Sequence, residues 1–167
     1  MPPLDLPDDI AEVLRRTFTA EITTVNRAGQ PMTWPSVTYF DEAEGRIVCA
    51  VSIAYPVKAY NARRHPQVSL LYSDPTGSGL DHPRTVLVQG TADVAEVLDY
   101  PPDIIGLFAT VAERQPDSSR FTSNRFVRGL FNWYLFQRIA LRITPDRIAA
   151  WPGADMAGPP VEVLRRG

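Results

Sequence analysis

Apolar side chains recur at every second position over most of this chain, which predicts short half-buried strands joined by hairpins. From Phe18 to Val25, Ala20, Ile22 and Thr24 alternate with Glu21, Thr23 and Val25. Arg27 to Gln30 then supplies a turn, and a partner strand follows from Pro31 to Phe40. A second loop, Asp41 to Gly45, leads to a third strand, Arg46 to Ser52, and the three form an antiparallel meander. The run Ile47 to Val51 is apolar without alternation, so this strand is expected to be covered on both faces. Gln67 to Tyr72 and Thr85 to Val94 read as the next two strands, separated by a Gly- and Pro-rich loop from Asp74 to Pro83. Phe136 to Thr144 alternates again, Pro145 and Asp146 read as a turn, and Arg147 to Trp151 reads as the last strand.

Helical spacing is confined to four places. Pro7 to Leu14 carries acids in its first turn and apolar Ile10, Val13 and Leu14 on one side. Pro56 starts a helix that runs from Val57 to Arg64 and stops before Pro66. Pro102 to Arg114 and Arg125 to Trp133 complete the set. The fold class expected is therefore mainly β with peripheral helices: one antiparallel barrel domain over 1–152, with 153–167 as an irregular tail. Two positions interrupt the pattern. Pro35 cannot donate to a ladder, so its strand must bulge, turn a barrel corner or lie at an edge. Gly90 marks a bend or a close approach of backbone.

Composition narrows the function. A net charge of -2 argues against a general nucleic-acid binder. The most apolar stretch, Leu130 to Ile143, is broken by Arg138 and Arg142, so no membrane span and a cytoplasmic location are expected. Cys49 sits inside an apolar strand as a small hydrophobe, and His65 and His82 lack partners at metal-ligand spacing, so no metal is expected. Of seventeen cationic residues sixteen are Arg, a bias typical of GC-rich genomes. The one lysine, Lys58, falls in the first turn of a helix, where the dipole disfavours a cation unless an anion compensates. Helix N–H groups, a hydroxyl such as Ser52 and one ammonium make a phosphate site, with Asn61 one turn on. A solvated surface lysine is the competing reading.

The run Val51-Ser52-Ile53-Ala54, Pro56, Lys58, Asn61 and Arg63 to Leu70 resembles the strand-helix-strand signature of the split β-barrel flavoproteins typified by pyridoxamine 5′-phosphate oxidase. Gly29-Gln30-Pro31, Val88 to Ala92, and Arg142 to Ile148 with Trp151 match as well. The likeness spans Leu14 to Pro152 and is greatest to the actinobacterial branch that binds the deazaflavin coenzyme F420. It implies a homodimer with two cofactor sites at the subunit interface. It also implies that Ser52, Lys58 and Asn61 hold the cofactor's phosphate or polar chain. Pro35, Ser36, Val37, Ala50 and Val51 would line the ring, and Gln89 and Trp151 would reach in from the other subunit. Arg64, with Arg27 and Arg63, would meet an acidic oligoglutamate tail. The resemblance implies hydride transfer to a small unsaturated substrate with F420, or FMN as the alternative cofactor, and needs no catalytic carboxylate pair or triad. A carrier or sensor without turnover would use the same fold. Leu130, Phe131, Trp133 and Tyr134 are read as core or interface aromatics, with a substrate lid as the alternative.

Overall fold

The computed structural model describes residues 3–17, 19–96, 138–153 and 156–166. The elements in chain order are α1 (Asp8–Arg16), β1 (Thr19–Val25), β2 (Pro31–Asp41), β3 (Arg46–Ser52), α2 (Val57–Arg64), β4 (Gln67–Tyr72), β5 (Thr85–Val94), β6 (Arg138–Trp151) and β7 (Val161–Arg165). All strand pairings are antiparallel, in the order β3-β2-β1-β4-β5-β6-β7. A further β3–β6 ladder, from Ile47↔Ile143 to Ser52↔Arg138, closes six strands into a barrel and leaves β7 outside.

Alternation decides what fills the barrel. Ala20 and Ile22 of β1, Leu70 of β4, Val88 of β5 and Ile139, Leu141, Ile143 and Ile148 of β6 are all buried in one cluster. Each fully buried aliphatic side chain contributes roughly 1.5–3 kcal/mol. α1 adds Ile10, Val13 and Leu14 to the same cluster. On the other face of β3 and β6, Val48 and Ala140 are buried with Ala95 and against Tyr39, so β3 is covered on both sides as its unbroken apolar run predicts.

β6 differs from the expected strand-turn-strand. It is one strand of 14 residues with a register shift opposite Gln89 and Gly90, and Pro145 and Asp146 lie at that bulge rather than in a turn. Its first half pairs with β3 and its second with β7, while β5 runs along the opposite edge. Gly90 makes the bulge possible, because a Cβ there would lie 2.2 Å from the Thr144 carbonyl oxygen. Pro145 costs the ladder little at a bulge, and Asp146 accepts a hydrogen bond from the Thr91 hydroxyl at 3.0 Å.

The tail is corrected too. Val161–Arg165, read as irregular, forms β7 on the outer edge of β6. Glu162 ties it down, accepting from Arg147 and from Arg165. The helices expected over Pro102 to Arg114 and Arg125 to Trp133, and the aromatics at Leu130 to Tyr134, lie outside the described residues.

Candidate functional site

The β2–β3 ladder runs from Asp41↔Arg46 to Thr38↔Cys49 and stops there. β2 continues to Pro31 with β1 as its neighbour, and β3 continues to Ser52 with β6. Continuing the register would set Val37 opposite Ala50, Ser36 opposite Val51 and Pro35 opposite Ser52. These six residues instead border a seam where neither strand has a ladder partner on that side. Pro35 fits this edge because it has no N–H to leave unpaired.

α2 follows directly on β3 and stands at the mouth of the seam. Ser52 accepts the Ala54 N–H at 3.3 Å and its carbonyl accepts the Tyr55 N–H, which turns the chain toward Pro56. The helix has no side-chain cap and no acid in its first turn. From that turn Lys58 reaches across, its Nζ donating to Ser36 Oγ at 3.1 Å and to the Pro35 carbonyl at 3.3 Å. Ser36 is buried and Lys58 half-buried. The ammonium therefore sits beside an open backbone edge with only neutral partners among the described residues.

Its electrostatics follow. Burial holds the Lys58 ammonium below its ordinary range; nearby Cys49 opposes this, and Arg138, paired in register with Ser52, adds to the lowering. The Cys49 thiol, wholly buried, is pushed up to about 12 and stays protonated. A lowered amine binds its proton less tightly in the folded than in the unfolded chain. Stability at neutral pH is therefore reduced by this group, and the penalty fades as pH rises through the lowered value toward the unfolded 10.5. Urea unfolding of the protein and of Lys58→Met at pH 7 and pH 10 checks this: the difference between them should shift in favour of the wild type at the higher pH.

Ser36, Val37, Pro35, Ala50, Val51, Ser52 and Lys58 thus come together at one seam. Asn61 does not join them. It is buried against the barrel, where its amide donates to Thr24 Oγ1 at 3.2 Å and fastens α2 to β1. Asn61→Ala should cost about 1–3 kcal/mol by leaving the Thr24 hydroxyl unpaired, measurable as a lower urea midpoint. Arg64 is exposed, while Arg63 donates to the Ala95 carbonyl at 2.9 Å and lies 3.7 Å from Glu96. Gln89 is exposed on β5 and accepts from Arg147 at 2.8 Å, and the Trp151 indole donates to the Gly158 carbonyl at 2.9 Å. Trp151 and Arg138 end opposite halves of β6, thirteen residues or roughly 40 Å apart along an extended strand. The place of Arg138 beside Ser52 depends on the β3–β6 closure, which no local sequence pattern signals.

No protein-family model and no curated protein sequence matches the chain. Solved structures do. The conserved hypothetical protein Rv2991 from Mycobacterium tuberculosis is 24% identical, with 98% of this chain and 96% of that one covered and a TM-score of 0.62. An F420 reductase is 18% identical over 86% of this chain and 98% of its own, with a TM-score of 0.55. A putative pyridoxamine 5′-phosphate oxidase from Listeria innocua is 16% identical over 87% and 98%, with a TM-score of 0.57. Haem-binding proteins are among the matches as well. The fold is the split barrel that these proteins share. No described helix is long and apolar enough to cross a membrane.

Proposed function

We propose that the seam between β2 and β3 binds a phosphate-bearing flavin-type cofactor, coenzyme F420 ahead of FMN, and that the protein is an oxidoreductase acting on a small unsaturated molecule. The observation that carries this reading is Lys58: a half-buried ammonium at an uncapped helix start, without an acid, beside two unpaired strand edges. A phosphate supplies the missing negative charge, and the helix N–H groups and the Ser36 and Ser52 hydroxyls supply further donors. The backbone groups that β2 and β3 turn toward the seam beyond Thr38 and Cys49 offer hydrogen bonds to the polar edge of a fused ring.

When bound, such a cofactor supplies hydride chemistry. The chain's part is to hold the ring edge against rigid strands, to anchor the phosphate with Lys58, and to keep water off the covered face. Exposed Arg27, on the β1–β2 turn, and exposed Arg64, on α2, suit an acidic cofactor tail. In this reading Gln89 and Trp151 belong to the site of a second copy of the chain, and the active form is a homodimer. Haem enters only as an outcome of the test. Mass spectrometry of the ligand that copurifies, followed by titration with F420, FMN and haem, should show F420 binding tightest. Tight binding of FMN alone reverses the order, and haem alone ends this reading. Turnover of enones with reduced cofactor separates an enzyme from a carrier.

A further inference from the structure

A second cation stands at the end of the seam, on the side away from Lys58. Cys49 and Val51 of β3 and Ile139, Leu141 and Ile143 of β6 lie in the barrel cluster. By alternation Ser52 and Val48 turn outward on β3, and Arg138 and Arg142 turn outward on β6. The register sets Ser52 opposite Arg138 and Val48 opposite Arg142. Residues directly opposed in an antiparallel pair have Cβ atoms roughly 4.5–5.5 Å apart. Arg138 is therefore the cation of this face that adjoins the seam. Arg142 lies about 13 Å further along the strand and has Asp93 at 3.6 Å.

Lys58 reaches the same corner from the other side. Its ammonium donates to the Pro35 carbonyl, at the position that the continued β2–β3 register would place opposite Ser52. Across the end of the seam the order is thus Lys58 on Pro35 of β2, then Ser52 of β3, then Arg138 of β6. Both cations are partly exposed. They lie within each other's field, since Arg138 contributes to holding the Lys58 ammonium below its ordinary range. Two like charges facing one gap repel. An anion between them attracts both, and two positive charges are matched by two negative ones.

We infer that Arg138 is a second cationic anchor for the cofactor and that, with Lys58, it makes the seam select a doubly negative end group. The inference rests on the cofactor reading of the seam and adds to it which end group the site takes. A terminal phosphate monoester, as in FMN, carries both charges on one group; F420 carries them on a phosphodiester and the carboxylates that follow it. The test titrates the full-length protein at neutral pH with FMN against riboflavin, and with F420 against the deazaflavin nucleoside that lacks phosphate and tail. Arg138→Gln should weaken whichever charged cofactor binds by about tenfold to a hundredfold and leave its uncharged counterpart unchanged. The pair that responds identifies the source of the two charges. The cyclic phosphate of riboflavin, with one charge, should bind the wild type less tightly than FMN, and Arg138→Gln should narrow that gap. Arg138→Lys should recover part of the affinity, because it keeps the charge and loses the fork of donors. Arg142→Gln, beyond the screening length of about 8 Å at physiological salt, should leave every affinity as it was. Equal loss for charged and uncharged ligands, unchanged FMN and F420 affinity in Arg138→Gln, or an equal loss in Arg142→Gln overturns the inference and leaves the cofactor reading standing. A wild-type protein that binds none of these ligands ends both.

Discussion

Gly90→Ala is expected to destabilise the protein by about 3 kcal/mol or more. The added Cβ would meet the Thr144 carbonyl oxygen at 2.2 Å, its carbonyl carbon at 2.9 Å and Pro145 Cα at 3.1 Å. All three atoms are backbone, so no side chain can swing aside. Relief would require β5 and β6 to separate at the register shift where the second half of β6 takes its place. That half pairs with β5 and carries β7, so the displacement would propagate to Ile148 and Ala150, both wholly buried. A fall of roughly 10 °C in melting temperature follows for a chain of this size. Gly158→Ala is the control: a Cβ there meets nothing within 4 Å, and the change should stay within about 0.5 kcal/mol.

Lys58→Ala is expected to weaken cofactor binding by about tenfold to a hundredfold, the equivalent of one charge-assisted hydrogen bond to a phosphate. The fold should respond much less. From the helix dipole alone, the apo protein should be unchanged or slightly more stable without this lysine. The structure adds an opposing effect, since the ammonium donates to Ser36 and Pro35 and so joins α2 to β2. Two bonds to neutral acceptors against the cost of half-burying a cation leave a net change within about 1 kcal/mol. Lys58→Arg should recover part of the binding, because a planar guanidinium presents its donors differently from an ammonium. Cofactor affinity and apo melting temperature measured together on the three proteins separate an anchor from a brace: a large loss of stability with unchanged affinity would make Lys58 a brace.

Local chemistry made the strands legible. β3, β4 and β5 begin and end where the apolar runs and their Pro and Gly punctuation place them, from Arg46 to Ser52, Gln67 to Tyr72 and Thr85 to Val94. Pro35 was readable as an edge position because proline lacks a donor, and the ladder ends close by at Thr38. What escaped the sequence is non-local. Pro145 and Asp146 look like a turn on their own, and only Gly90 on another strand turns them into a bulge. The Pro- and Gly-rich tail hides Val161 and Val163, whose strand exists because the second half of β6 has a free edge. Helical spacing alone groups Asn61 with Lys58. Their sides of α2 diverge once the helix lies on the barrel, one toward Thr24 and the other across the seam.

The central claim is that the β2–β3 seam, with Lys58 at its mouth, is the cofactor site. Amide chemical-shift mapping during titration of the full-length protein with F420 tests it most directly. The account predicts saturable shifts at residues 36–37, 50–52 and 57–61, with the largest beside Lys58. Saturable binding that leaves those residues unmoved and shifts 72–85 instead would contradict it.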